Sequence, residues 1–400
     1  MPNALIFSSS FIGHRQVYVF VVAHILNTLG YKLYIAGNFN DKLRTTYYFD
    51  TLENYDIVKI DTNGYLGNGT GISNSEFNNL LNQYKIDLTV FTEADNHISL
   101  FISQLIAGNK RFRGRVVGIF LRPWHFYNKL RFIDKFRYIR HLKTTWKSDD
   151  LLFHEWLNKT FSLIDSSLCI DEFFVSNHKK SIWLPDVFQE YADRVVLEER
   201  SEQRVWIEKL DQFKYQNKGS FIVFYFGTAQ QRRGYDELLK LALDQNACFV
   251  HCGTRNDIDK YSHNVDELRN ILKRENKLFE TNEYIIDPYC IEYFFKSASH
   301  IVLPYSNFLG SSGVMLQALS YGIPVLVPDF GLIGYRVKKY NLGDTYSENS
   351  FNEKFHSFIN SPKESFSDSI TEYMQFQSAD NLDLVLRNAF SGSIKTILHP

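Results

Sequence analysis

Most features that announce a specialised class of protein are scarce or missing in this chain. Its 400 residues hold four cysteines, Cys169, Cys248, Cys252 and Cys290, and no CxxC pair, which excludes a disulfide scaffold and a zinc ribbon. Cys169, Cys248 and Cys252 lie in apolar runs that read as strands, so buried free thiols in a reducing compartment are expected. His251 beside Cys252 raises metal ligation, but no second ligand pair is spaced to complete a site, and no metal is expected. Charge of one sign is lacking too. The 44 basic and 45 acidic residues leave a net charge of −1, so the molecule as a whole is not a generic polyanion binder.

Internal repeats and low-complexity tracts are absent. The opening MPNALIFSSS has no basic stretch and enters a strand-like run at once, so no secretory signal is expected. The apolar run 17–29 is too short for a membrane span and is interrupted by His24, Asn27 and Thr28; it reads as a buried helix.

What is present is alternation. Strand-like runs at 4–7, 32–36, 56–60, 87–92, 115–121, 167–170 and 181–184 alternate with helical patterns, the first at 15–29. This is the signature of a doubly wound parallel sheet. The stretch 188–218 is rich in Glu, Gln, Lys and Arg and reads as a helical linker. Alternation then restarts, with strands expected at 221–227, 247–253, 283–287, 300–305 and 324–329, and helices from Tyr235, near 264–274 and from about Ser312. The division expected is an N-terminal Rossmann-like domain, 1–187; the linker, 188–218; a second Rossmann-like domain, 219–377; and a helix, 378–400, crossing back to the first.

Chemistry concentrates in 301–331, IVLPYSNFLGSSGVMLQALSYGIPVLVPDFG. A Gly/Ser loop opening a helix offers free N–H groups and a favourable dipole to an anion. Gly310 and Gly313 permit close backbone approach, and Ser311 and Ser312 add hydroxyls. An ordinary capped turn would look the same on these grounds alone. A second cluster, FGTAQQRRGYDELLKLA from Phe226, puts Arg232 and Arg233 at a strand-to-helix turn, where a guanidinium suits bidentate phosphate contact.

These two segments together resemble the donor-site signature of glycosyltransferase family 4 and its GT-B relatives. LPYS, the GSSG turn, LQALSYGIPVLV and DFGLIG stand where the family has Pro-Ser, a Gly-rich turn, Leu-Glu-Ala, a Gly-x-Pro-Val strand and its following loop. Arg233-Gly234 falls on the family's Lys-Gly, and Thr228, just after Gly227, replaces its Arg. Leu309 and Gln317 stand at the family's paired Glu positions. The resemblance implies α/β architecture of the GT-B type, two Rossmann-like domains facing a central cleft. It implies a nucleotide-sugar donor held by Gly13, Gly227, Thr228, Arg232, Arg233, Gly310, Ser311, Ser312, Gly313 and Gln317, with Gln317 at the ribose. Arg255 follows the next strand, and Tyr289 lies in the region of the family's base-recognition loop.

On the acceptor side, FSSSFIGHRQ, with Gly13 and His14, resembles the family's first Gly-rich loop. FTEADNH places Glu93, Asp95 and His97 at a strand's C-terminal end, where open α/β sheets bind ligands; helix capping by Asp95 or Asn96 is the plainer alternative. Arg122 and His125 follow the strand whose end often carries a catalytic-site His in the family. The resemblance implies sugar transfer to a hydroxyl acceptor with retention of configuration, no cofactor and no essential metal, and a lipid-linked or growing bacterial surface glycan as acceptor. A non-catalytic GT-B partner or glycan-binding protein and a nucleotide-sugar epimerase are the competing readings.

The stretch 110–147 is basic, with Asp134 its only acid, and aromatics interleave. Such a surface suits an anionic membrane, an anionic glycan or a polyprenyl diphosphate better than nucleic acid; a solvated helix face is the simpler reading. A cytoplasmic protein at the inner face of the membrane is the expected setting.

Overall fold

A computed structural model describes residues 1–8, 11, 15–37, 39, 48, 51–62, 72–108, 111–121, 161–172, 175, 181–195, 201–255, 264–306, 308–347 and 349–393. The chain divides into two compact units, Met1–Leu197 with Phe376–Pro400, and Glu198–Gln375. The stretch read as a linker is shared between them. Helix Phe188–Val195 belongs to the first unit, and helix Val205–Gln216 seats Leu210 and Phe213 in the core of the second.

In the first unit seven parallel strands form one sheet: β1 (Asn3–Phe7), β2 (Lys32–Gly37), β3 (Ile57–Asp61), β4 (Leu88–Phe91), β5 (Arg115–Phe120), β6 (Ser166–Cys169) and β7 (Ser181–Trp183). Their order is β3-β2-β1-β4-β5-β6-β7, with Leu5 opposite Tyr34 and Ile6 opposite Val90. This is the doubly wound order, with the direction of winding reversing between β1 and β4. Helix Arg15–Thr28 is apolar nearly all round because it is covered nearly all round. The sheet lies on one side, and helices Phe188–Val195 and Ala379–Ser391 on the others. Arg115 donates to the carbonyls of Ala389 (2.5 Å) and Phe390 (2.8 Å), closing the C-terminal end of the last helix with a cation where the dipole favours one.

The second unit carries β8 (Ile222–Phe226), β9 (Cys248–Cys252), β10 (Leu278–Glu280), β11 (Ile301–Val302), β12 (Val325–Pro328) and β13 (Gly343–Tyr346). They pair as β10-β9-β8 and β11-β12-β13, all parallel, and β8 lies beside β11. The reversal of winding therefore falls between β8 and β11.

Two expectations need correction here. The strand expected at 283–287 is instead β10, Leu278–Glu280, and 283–287 is irregular. The Gln203 side chain takes its backbone bonds: Oε1 accepts from Ile286 N (3.0 Å) and Asp287 N (3.1 Å), and Nε2 donates to the Tyr284 carbonyl (3.0 Å). Asp287 then caps helix Pro288–Lys296. The edge strand β13 was not foreseen, because GDTY lacks an apolar pattern.

Candidate functional site

The densest set of candidate groups lies at the C-terminal ends of β8 and β11, where a doubly wound sheet opens a crevice. Two loops meet there. The loop after β8 turns through Gln231–Arg233 into helix Tyr235–Asp244. The loop after β11 runs to helix Gly313–Ser320. Ser306 N donates to the Arg232 carbonyl (3.0 Å), which joins them. Gly234, at φ +70°, sits so close to Pro304 that an added Cβ would lie 2.4 Å from its ring. Gly234 is therefore held to glycine both by its left-handed φ and by the lack of room for a side chain.

Arg233 is half-buried, and a Cβ on Gly227 would lie 3.0 Å from its Nη1. Among the described residues no carboxylate pairs with it. Burial raises the pKa of the Tyr225 and Tyr305 phenols, and the Arg233 charge opposes the rise in both. The guanidinium is thus within electrostatic reach of both loops. Arg232 is exposed, and its Nε donates to Gln230 Oε1 (3.0 Å).

Across from it, Ser312 is the N-cap of helix Gly313–Ser320. Its Oγ accepts from Met315 N (3.2 Å) and pairs with the Tyr305 hydroxyl (3.1 Å). Buried and engaged, it shapes the turn; its hydroxyl was expected to serve an anion directly, and capping takes it instead. The N–H groups of Gly313 and Val314, at the first two helical positions, have no intrahelical acceptor. Gly313 is exposed, with no atom within 4 Å of an added Cβ, so a ligand can reach it. Gly310 borders only the Phe308 ring, 3.4 Å from an added Cβ. Ser311 Oγ accepts from Nη1 of Arg336 (3.2 Å), a fully buried arginine on helix Gly331–Tyr340. Leu309 is buried and its carbonyl accepts from Leu332 N (2.9 Å), so no carboxylate stands at this corner of the turn. Gln317 is half-buried in the second turn of helix Gly313–Ser320.

At β9 and β10 lies a charged cluster centred on Glu280, a residue that the sequence did not single out. Arg269 grips Glu280 with both nitrogens of its fork, Nε–Oε1 at 3.0 Å and Nη2–Oε2 at 2.8 Å. Arg255 Nη1 lies 3.6 Å from Glu280 and its Nε donates to Asn282 (2.7 Å). Burial alone would raise the Glu280 carboxyl; His251, Arg269 and Arg255 overcome it and hold it at about 2. Arg255 is therefore a member of this cluster first. Thr228 Oγ1 meets Thr254 Oγ1 at 3.1 Å, tying the ends of β8 and β9. Tyr289 is 56 % exposed and carries the Arg204 guanidinium 5.3 Å above its ring.

In the first unit, Glu93, Asp95 and His97 all follow β4, and all are buried. Glu93 Oε1 accepts from Arg15 Nε at 2.7 Å. Asp95 Oδ2 accepts from Leu121 N at 2.6 Å, fixing the end of β5. The His97 ring packs edge-on against Phe7 at 4.8 Å and tilted against Phe91 at 5.4 Å. Neither Asp95 nor Asn96 caps the next helix; its N-cap position is His97, with no side-chain bond. Gly13, His14, Arg122, His125 and the basic stretch beyond residue 121 lie outside the described residues. Among the described residues no group of three or more His, Cys, Asp or Glu is placed to hold a metal ion, and no helix is long and apolar enough to cross a membrane.

No protein-family model and no curated protein matches the chain. Solved structures do. Sucrose-phosphate synthase from Thermosynechococcus elongatus shares 12% identity at a TM-score of 0.60, with 98% of each chain covered. HepE of Anabaena in complex with UDP-glucose shares 14% at 0.57, covering 97% of this chain and 99% of the other. UDP-GlcNAc 2-epimerase from Neisseria meningitidis, bound to UDP-GlcNAc, shares 16% at 0.56, covering 98% and 100%. Coverage of nearly the whole chain, together with parallel sheets in both units, defines the fold as GT-B.

Proposed function

We propose that this protein is a glycosyltransferase that moves a sugar from a nucleotide-sugar donor to a hydroxyl acceptor. The observation that carries the reading is Arg233, half-buried beside Gly227 on a loop that the Ser306 N–H ties to the loop before the open helix start at Gly313 and Val314. A half-buried guanidinium with no carboxylate partner among the described residues, set beside free N–H groups, suits a diphosphate. Neighbours of the same fold hold UDP-glucose and UDP-GlcNAc, which supports a uridine nucleotide as the first donor to try.

In this proposal the donor diphosphate lies between the two loops, with Gly310 and Ser311 lining the sugar and Gln317 toward the ribose. As the acceptor oxygen bonds to the anomeric carbon, the sugar–diphosphate bond breaks and charge gathers on the leaving oxygen. Arg233 and the helix start offset that charge. Front-face attack, with the leaving oxygen taking the acceptor's proton, retains configuration and needs no carboxylate at the turn, where Leu309 stands. Arg233 supplies the cation that a metal would otherwise give. On the acceptor side the proposal narrows to the Arg15–Glu93 pair, since Asp95 and His97 are taken up by the fold. A bacterial surface glycan on a lipid carrier, met at the cytoplasmic face of a membrane, is the acceptor proposed.

Calorimetry with UDP, ADP and GDP, followed by assay of their sugars, tests this. The wild type is expected to bind one diphosphate and to transfer or hydrolyse its sugar, and Arg233→Ala to weaken binding roughly tenfold to a hundredfold. Absence of nucleoside diphosphate binding by the wild type overturns the proposal. Conversion of the donor sugar to its epimer without transfer favours the epimerase reading, which the epimerase neighbour keeps in play.

A further inference from the structure

Gly227 ends β8 with φ +100°, a conformation open to glycine and strained for other residues. Gly253 presses on it so closely that an added Cβ would lie 2.1 Å from the Gly227 carbonyl oxygen. That carbonyl turns inward, 3.0 Å from Nε2 of His251. A carbonyl only accepts, so Nε2 carries a proton. His251 is fully buried, with its ring edge-on to Tyr225 and Tyr235 at 5.3 and 5.2 Å, and its Nδ1 faces Glu280 Oε1 at 3.9 Å. Glu280 is itself clamped by Arg269. The imidazole is thus fixed from three sides.

In a trans peptide the C=O and the following N–H point in opposite directions. With the Gly227 carbonyl held inward, the Thr228 N–H points away from the core. The neighbouring amides are occupied: Gly227 N donates to Cys252 O (2.8 Å) and Ala229 N to Thr254 O (3.0 Å). Among the described residues no backbone carbonyl accepts from Thr228 N. An apolar ring would fill the His251 site at lower desolvation cost, so packing alone does not account for the imidazole.

We propose that His251 is a positioning residue: by holding the Gly227 carbonyl inward, it presents the Thr228 N–H as a fixed phosphate donor beside Arg233. This rests on the donor reading above, and adds to it one backbone donor and the buried side chain that aims it.

Calorimetry on wild type, His251→Phe and His251→Gln provides the test. The ligands are the tightest of UDP, ADP and GDP and its own nucleoside. Phe cannot hold the carbonyl, whereas the Gln amide can reach it. His251→Phe is expected to lose roughly tenfold to a hundredfold in diphosphate affinity while nucleoside affinity stays near wild type, and His251→Gln to recover most of the loss. In wild-type protein labelled with 15N-threonine, the Thr228 amide proton is expected to shift downfield on saturation with the diphosphate. That second readout stands even if the Phe variant fails to fold. A His251→Phe protein with the wild-type ratio of diphosphate to nucleoside affinity, or a Thr228 amide unmoved by bound diphosphate, overturns this assignment alone. A wild type that binds no nucleoside diphosphate overturns the donor reading and this assignment with it.

Discussion

Arg233 and Glu280 show two opposite treatments of a charge. Arg233 is left without a carboxylate partner among the described residues at the mouth of a crevice, whereas Glu280 is half-buried and meets three cations, Arg255 after β9 and Arg269 and Lys273 on one helix. The second arrangement has a consequence for stability. Glu280 is held at about 2 in the fold, against 4.5 for an ordinary glutamate. Its folded value lies below its unfolded one, so its contribution is complete above pH 4.5 and is lost as pH falls toward 2. By pH 3.5 on the order of 1 kcal/mol of it should be gone. Denaturant unfolding of wild type and Glu280→Gln at a series of pH values measures this: the gap between them should narrow by about that amount between pH 6 and pH 3.5. Arg233 was legible in the sequence, because an Arg-Gly pair opening an amphipathic helix has a local signature. Glu280 was not, because its partners come from positions 251, 255 and 269 and meet only when the sheet has formed. His251 drew attention for its neighbour Cys252 and for metal chemistry; its partner is the carbonyl of Gly227.

Elements were legible where their punctuation is local. The turn GSSG before an apolar helix reads correctly as a helix start, and the structure adds that the second serine is its cap. Ser312→Ala is expected to cost about 1 kcal/mol, read as a lower melting temperature in calorimetric unfolding. Arg233→Ala, which breaks no ion pair among the described residues, should leave melting near wild type while it weakens diphosphate binding roughly tenfold to a hundredfold. The misplaced third strand of the second unit has a similar lesson. The run 283–287 is apolar enough to read as a strand, yet its amides are claimed by the Gln203 side chain from another part of the chain. No periodicity in 283–287 records that. Strand β10 is short, follows Lys277 and ends on Glu280, which hides its central Phe279.

For the whole molecule the C-terminal helix matters most. Ala379–Ser391 buries Leu382, Val385, Leu386, Ala389 and Phe390 in the first unit, far along the chain from the strands it serves. Tyr191 donates to Asp383 at 2.7 Å, and Arg115 closes the helix end. A chain ending at Gln375 should therefore expose this apolar surface, with limited proteolysis cutting first within 1–197 while 198–375 resists. Equal resistance of both units would contradict this account.

By itself the sequence determined the alternation of strands and helices, the parallel sheets and the start of helix Gly313–Ser320, since each is written in short-range patterns of polarity, glycine and capping residues. Tertiary structure decided which of the candidate groups remain available. It gave Ser312, Asp95 and His97 to capping, strand ends and core, and left Arg233 at the crevice. It also brought His251 to the Gly227 carbonyl. A side chain's employment depends on partners that are distant in sequence, and only the folded chain brings those partners within bonding distance.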